Sequence, residues 1–268
     1  MAIEKSEAII LRTLNFRDTS KILTAYTLDH GLVSLIAKGV RGPKPRFGSA
    51  LEIFAHVDLV YYNKDSRDLQ LLSQASLLEA HLGLASNLDR YRHACAVLEF
   101  LLKLLSGQEP PGKLYPLALR TLEVLEKAPV ASLGSLFLAF QIKAVSFLGH
   151  RPELFSCISC RESLTEPVYF APLHGGTVCD NCVVEVDGTR TITQSQLGFL
   201  QRLMKSTLAE LFEDVPSSEF MADTRGIFEL FLASQLDRYE PSRSLRQIPN
   251  RHALGLREAL KAGDPLGN

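Results

Sequence analysis

Apolar and polar residues alternate through the first eighty positions, and then the pattern changes to a helical period. Ala8 to Thr13 is short and apolar-rich, while Lys21 to Thr27 sets Ile22, Thr24 and Tyr26 against Leu23, Ala25 and Thr27. Asp29-His30-Gly31 is a turn signal before the apolar stretch Leu32 to Ala37. Leu51 to Tyr61 has a period of two, with Leu51, Ile53, Ala55, Val57, Leu59 and Tyr61 on one side; Asn63 to Ser66 then turns the chain into Leu69 to Leu72. Five short strands within about 75 residues predict a small closed or partly open barrel. An isolated hairpin could not bury so much alternating surface, and closure removes exposed edges.

Beyond Leu77 the spacing is that of helices. Asn87 to Ser106 carries Leu88, Tyr91, Cys95, Leu98, Leu102 and Leu105 on one stripe, stopped by Gly107 and Pro110-Pro111. Leu114 to Glu126 and Ser132 to Leu148 predict two more helices, the latter ended by Gly149 and Pro152. After a loop-rich stretch, Ser195 to Phe212 and Thr224 to Tyr239 are again helical, joined around Pro216-Ser217-Ser218. The predicted organisation is a β unit over 1–80 and a helical unit over 81–152 and 193–268, interrupted by a cysteine-bearing insertion over 153–192. There is no internal repeat.

Composition narrows the class. With 268 residues, 46% hydrophobic and 22% charged, the chain suits one large domain or two to three small ones. No window offers the ~18 uncharged apolar residues that cross a bilayer, so no membrane role is expected. Glu4, Lys5 and Glu7 fall where a secretory signal needs a basic start and an apolar run. A cytoplasmic protein is expected. Net charge is −1 and the isoelectric point about 6.7, so nucleic-acid binding would have to come from local patches.

Five cysteines are too few for a disulfide scaffold, and clustered cysteines in a cytosolic chain are metal ligands first. Cys157-Ile-Ser-Cys160 and Cys179-Asp-Asn-Cys182 form two C-x2-C knuckles eighteen residues apart. Each knuckle turns two sulfurs toward one centre, and two knuckles complete a tetrahedron. Val168 to Phe170 and Gly175-Gly176-Thr177 supply the strands and turn of a small ribbon between them. The alternative, four free or redox-active thiols, would more naturally show one such pair. Four thiolates fill a zinc ion's coordination sphere and leave no place for water, so one structural Zn2+ is expected, contributing on the order of 10 kcal/mol to local folding. No H-x-E element precedes Cys157, which excludes a deaminase centre. His174 inside the ribbon is either a further ligand or a turn residue, and Cys95 on an apolar helix face reads as a core thiol. Arg161 is the only fixed cation between Cys157 and Cys182, against Glu162, Glu166 and Asp180. Such a ribbon suits a fold clamp or protein contact better than a reader of DNA.

Cations gather elsewhere. No acid occurs from His30 to Ala50, a stretch holding Lys38, Arg41, Lys44 and Arg46 in a loop stiffened by Pro43 and Pro45. Arg17 and Lys21, near Phe16, extend that field. Basic side chains with an occasional ring on a small barrel suit single-stranded nucleic acid, with Phe47 and then Tyr62 as stacking candidates. A solvated loop and a core-capping aromatic remain the plain alternatives. A second acid-free run, Pro241 to Arg257, carries Arg243, Arg246, Arg251, His252 and Arg257; arginine grips phosphate bidentately, though a basic tail can equally be solvated. No phosphate-binding loop, dinucleotide fingerprint, nucleophile elbow or H-E-x-x-H occurs, so neither an enzyme nor an ATP-driven motor is expected.

These residues resemble the RecO family of bacterial recombination mediators. Glu7 to Leu11, Lys21 to Thr24 and Ala37-Lys-Gly-Val-Arg41 look like that family's opening barrel and basic loop. Ala139 to Gly149, then Pro152-Glu-Leu and Cys157-Ile-Ser-Cys160, are similar to its last bundle helix running into its zinc knuckle. The resemblance implies a multi-domain α+β protein with an N-terminal OB-fold barrel, a central helical bundle and an inserted four-cysteine zinc ribbon. It also implies binding of single- and double-stranded DNA, strand annealing, and assistance to RecR in loading RecA onto strands covered by single-strand binding protein (SSB). The SSB tail and, indirectly, RecF are further implied partners, and the location implied is the nucleoid. On this sequence Lys38, Arg41, Lys44 and Arg46 match the basic loop, the four cysteines the zinc ligands, and Arg243 and Arg246, loosely, a basic Ser-Arg end. Two other classes remain. One is a protein-only adaptor with a helical groove lined by Leu133, Phe137, Phe140 and Phe147. The other is a zinc-dependent nucleic-acid enzyme, which the filled coordination sphere disfavours.

Overall fold

Strand β1 (Ala2–Phe16) pairs along one edge with β2 (Ser20–Thr27) and along the other with β4 (His56–Asn63), which closes a sheet into a barrel. With β3 (Gly31–Ala37) and β5 (Leu69–Glu79) the order around the barrel is β1-β2-β3-β5-β4. All pairs are antiparallel except β3 with β5. This is the five-stranded Greek-key arrangement of an OB-like barrel. The computed structural model describes residues 2–41, 47–64, 66–105, 112–237 and 239–246. The chain divides into two compact units, 1–127 and 128–268.

Alternation decides the barrel interior. Ile10, Leu23, Leu35, Leu59, Tyr61 and Leu72 point inward to one buried cluster, each flanked along its strand by an outward neighbour. β1 is far longer than its apolar segment, because a register shift between Ile10 and Arg12 bends it from β4 onto β2. The predicted strand Leu51 to Tyr61 is only half correct. Gly48–Leu51 is a 3-10 turn that places Ala50 and Leu51 in the core, and Phe54 takes a left-handed φ of 71°. Phe54 and Ala55 still hydrogen-bond Ile10, each at 3.0 Å, but Phe54 is buried where Ile53 was expected, so the period of two holds in burial only from Ala55 and the strand begins at His56.

Two helices complete the first unit, α1 (Leu88–Leu104) and α2 (Leu114–Lys127). Asn87 caps α1 by accepting from the N–H groups of Asp89 and Arg90. The outer face of the barrel meets them through ring contacts, Tyr26 edge-on to Tyr115 at 5.3 Å and Phe54 to Tyr91 at 5.5 Å.

In the second unit, α3 (Leu133–Phe147) is apolar on nearly every side and buried accordingly. By length and composition alone, Val130–Phe147 is apolar enough to cross a membrane, with a mean hydropathy of 1.5; 67% of it is buried in the protein, as a core helix would be. Around it lie α4 (Gln194–Lys205), entered through a capping box of Thr193 and Gln196, and α5 (Ser218–Gln235), capped by Ser217. The single helix predicted over Ser195 to Phe212 is broken after Lys205. Ser206 is extended, and Glu210 turns back to accept the Thr207 N–H at 2.8 Å. A three-stranded sheet of order β7-β6-β8 carries the cysteine knuckles: β6 (Val168–Ala171), β7 (Gly176–Cys179) and β8 (Arg190–Ile192). Its turn seats on α5, where Ser234 Oγ donates to the Pro172 carbonyl at 2.7 Å.

Candidate metal centre and nucleic-acid interface

The two knuckles converge. The Sγ atoms of Cys157, Cys160, Cys179 and Cys182 all lie within 4.8 Å of one another, the only such ligand group among the described residues. Main-chain bonds shape each knuckle: Arg161 N–H to the Cys157 carbonyl at 2.9 Å, with Arg161 at a left-handed φ of 68°, and Cys182 N–H to the Cys179 carbonyl at 3.1 Å. The Ile158 N–H donates to the Thr177 carbonyl at 2.9 Å and ties the first knuckle to β7. Four sulfurs around a tetrahedral ion at about 2.3 Å stand about 3.8 Å apart; Cys160 and Cys179 are separated by 3.7 Å.

Electrostatics agree with a cation there. Burial opposes ionisation of Cys157, yet N–H groups of Cys160, Cys179 and Ser159 facing its sulfur bring the thiol down to about 6. Its neighbour Cys182 is pushed up to about 12, chiefly by hydrogen bonding with Cys179 and then by desolvation. Four cysteines in this arrangement could hold a metal ion. His174 is not among them; it is exposed in the turn between β6 and β7. Cys95 is half-buried on α1 and bonded to Tyr91.

Arg17 and Arg41 are brought together at one end of the barrel. Val40 and Arg41 N–H groups both donate to the Thr19 carbonyl, at 2.8 and 3.2 Å, and the Arg41 guanidinium donates to the carbonyl of Arg17. The segment after β3 is thereby laced to the β1–β2 turn, and Arg17, Lys38 and Arg41 are all exposed. Arg17 stands over the Phe16 ring at 5.2 Å. Lys21 differs: its ammonium is 2.7 Å from Glu52 and its side chain only 13% exposed, so the free cation expected at this position is paired instead. Phe47 is half-buried and packs against the barrel core at a left-handed φ of 75°, closer to the core-capping expectation than to an open stacking ring. Lys44 and Arg46 lie outside the described residues, as do Arg251, His252 and Arg257. Arg243 and Arg246 share the carboxylate of Glu240, at 3.9 and 3.1 Å. Of the groove residues, Leu133, Phe137 and Phe140 are core, and only Phe147 reaches the surface.

One feature escaped the linear reading. Register pairs Leu14 with Ile22, Ile22 with Ile36, Ile36 with Leu71, Leu71 with Tyr62, and Tyr62 with Ile3. Ile22, Ile36, Leu71 and Tyr62 face outward, because a strand neighbour of each (Leu23, Leu35, Leu72 and Tyr61) lies in the core, and Leu14 and Ile3 continue the row at its ends. Leu14 and Ile3 are 55% and 67% exposed, and the others half-buried. The row begins one step along β2 and β3 from the cationic end, since Lys21 faces Ala37 and Ile22 faces Ile36. Its only signal in sequence was that β2 and β3 are apolar on both faces.

Comparison with known proteins agrees with this architecture. The family model described as "Recombination protein O N terminal" matches residues 1–81, and "Recombination protein O C terminal" matches residues 85–244. The DNA repair protein RecO of Rubrobacter xylanophilus is 35% identical over 212 residues, covering 78% of this chain and 84% of that protein. The RecO protein of Symbiobacterium thermophilum is 30% identical over 244 residues, covering 89% and 94%. A barrel over the first match, helices and a four-cysteine cluster over the second, and alignment along most of each chain lead to one statement: this chain belongs to the RecO family of DNA repair proteins.

Proposed function

We propose that the protein is a recombination mediator that binds single- and double-stranded DNA and anneals complementary strands. With RecR it assists the loading of RecA onto strands covered by SSB. The observation that carries this reading is the juxtaposition of exposed Arg17, Lys38 and Arg41 with the outward apolar row Ile22, Ile36 and Leu71 on one barrel. Cations follow phosphates, and apolar side chains accept the faces of unstacked bases. The barrel, residues 1–80, is the DNA-binding domain in this reading, with Lys44 and Arg46 in its basic loop; Arg243 and Arg246 of the second unit are separate candidate phosphate contacts.

Annealing by such a surface needs no nucleotide hydrolysis. Two strands repel through their phosphates; a surface that presents cations to both lowers that barrier, and base pairing supplies the driving force. No recognition helix enters a groove, so sequence preference is weak. The protein is a binder rather than an enzyme, and the ion held by Cys157, Cys160, Cys179 and Cys182 is a structural Zn2+ whose four sulfurs leave no open position. RecR and the SSB tail are the protein partners that family membership suggests, with RecF reached through RecR.

The test is annealing of two complementary oligonucleotides, one labelled, without nucleotide, bare and coated with SSB. Acceleration at low salt that fades as salt rises is the expected result. Absence of single-strand binding at low salt would overturn the reading.

A further inference from the structure

The four sulfurs of the ribbon are unequally placed. Cys157 and Cys179 are 0% and 7% exposed and Cys182 is half-buried, whereas Cys160 is exposed. Its Sγ lies 3.7 Å from that of Cys179, which belongs to the opposite knuckle. Metal-bound thiolates stay nucleophilic, and oxidation selects the sulfur that combines thiolate character with access and a second sulfur poised to resolve it. We propose that Cys160 is an oxidation site, at which a peroxide converts the metal centre into a Cys160–Cys179 disulfide; this rests on the reading that a metal ion occupies the four sulfurs.

The chemistry balances within the cluster. The Cys160 thiolate attacks one peroxide oxygen, the O–O bond breaks, and a sulfenic acid forms while hydroxide leaves and is protonated to water. The Cys179 thiolate then attacks the sulfenic sulfur; the S–O bond breaks, the S–S bond forms, and a second hydroxide leaves as water. Two sulfurs give up two electrons in total and the peroxide accepts them. Cys157 and Cys182, the two thiols that remain, would be too few to hold a tetrahedral ion.

Two features favour this route over its competitors. Glu162, Asp180 and Glu185 are exposed, and Arg161 is the one fixed cation between Cys157 and Cys182, so a neutral oxidant approaches more readily than an anionic disulfide. A bond between Cys160 and Cys179 also joins the two knuckles, as the metal does. Bonds within Cys157–Cys160 or Cys179–Cys182 would each close only one knuckle and leave the pair unlinked.

The experiment uses the full-length protein, with its metal content measured first. One zinc per chain establishes the metal reading by itself; its absence overturns that reading and this proposal with it. Hydrogen peroxide is then added in the presence of a chromogenic chelator, and the products are digested and mapped by mass spectrometry. Expected are release of zinc and a peptide pair joining Cys160 to Cys179. Cys160→His keeps four ligands without the exposed thiol and should slow release by about tenfold or more. Should Cys160→His fail to hold zinc, limited alkylation of the unsubstituted protein decides, with Cys160 expected to react first. Release from Cys160→His at the parental rate, a map dominated by the within-knuckle pairs, or first alkylation at another ligand would each overturn the proposal.

Discussion

His81 and Glu126, forty-five residues apart, meet in a buried pair: His81 Nδ1 lies 3.0 Å from Glu126 Oε2, and the histidine side chain is 1% exposed. The other carboxylate oxygen accepts the Gly83 N–H at 2.6 Å. One side chain of α2 thus fastens the segment that leaves the barrel, which His81 enters with a left-handed φ of 47°. Removing the carboxylate in Glu126→Ala leaves the buried His81 donor and the half-buried Gly83 N–H without their acceptor and should cost roughly 1–3 kcal/mol. Gly83→Ala should cost a similar amount, because an added Cβ would stand 2.7 Å from Glu126 Cγ. Urea midpoints check both, and a neutral Glu126→Ala would remove the fastening role.

The cations of the barrel should separate into two kinds. Arg41 donates to a carbonyl and Lys38 is exposed, so each remains available to phosphate. Lys38→Ala and Arg41→Ala should each lower the slope of log affinity against log salt by about one. Lys21→Met, which breaks the pair with Glu52, should leave that slope unchanged and lower stability by no more than about 1 kcal/mol. Fluorescence anisotropy across a salt series distinguishes them.

A charge placed on the outward apolar row should weaken single-strand binding without unfolding the barrel. Ile36 and Leu71 are half-buried register partners on β3 and β5, so Ile36→Asp or Leu71→Glu sets an anion where base faces are proposed to lie. A loss on the order of tenfold is expected for single strands, in line with the worth of one or two base contacts, and less for duplex. Equal losses for both would point to a purely electrostatic surface.

Metal removal should unfold the ribbon locally. A zinc centre of this kind contributes on the order of 10 kcal/mol to the segment that carries it. Cys157→Ser should abolish metal binding, since it removes the most deeply buried of the four converging sulfurs. Elemental analysis reads the first effect, and proteolysis within 157–182 after chelation reads the second.

Stability of the second unit should carry a pH signature from α5. Burial raises the Glu229 carboxyl above its ordinary range, and the attraction of Arg225, 3.6 Å away, only partly opposes it. A carboxyl that holds its proton more tightly folded than unfolded loses stability as pH rises from the ordinary carboxylate value through the raised one. Glu229→Gln should therefore be more stable than the parent at neutral pH, with the gap closing below the ordinary carboxylate range. Thermal melts between pH 4 and 8 measure it, and a gap independent of pH would refute the assignment.

Much of this was legible in linear order because the signals are local. Alternation at Lys21 to Thr27, the apolar stripe from Leu88 and the paired knuckles each depend on residues within a few positions of one another. The break after Lys205 was also local, since Thr207 and Glu210 carry the spacing of a capping pair, but the leucine stripe running across it masked that signal. Phe54 misled for a different reason: its positive φ is imposed by hydrogen bonding to Ile10, some forty positions away.

By itself the chain's order of residues determined that a β unit precedes helices, that four cysteines form one centre, and that cations cluster after β3. Each follows from periodicity, ligand spacing or charge counting, which need no knowledge of neighbours in space. Only folding decided which cations stay free, because Lys21 meets Glu52 across the barrel while Arg41 meets a carbonyl. Folding also aligned Ile22, Ile36 and Leu71 into one outward row, since strand register is a property of pairs of strands and is written in neither strand alone.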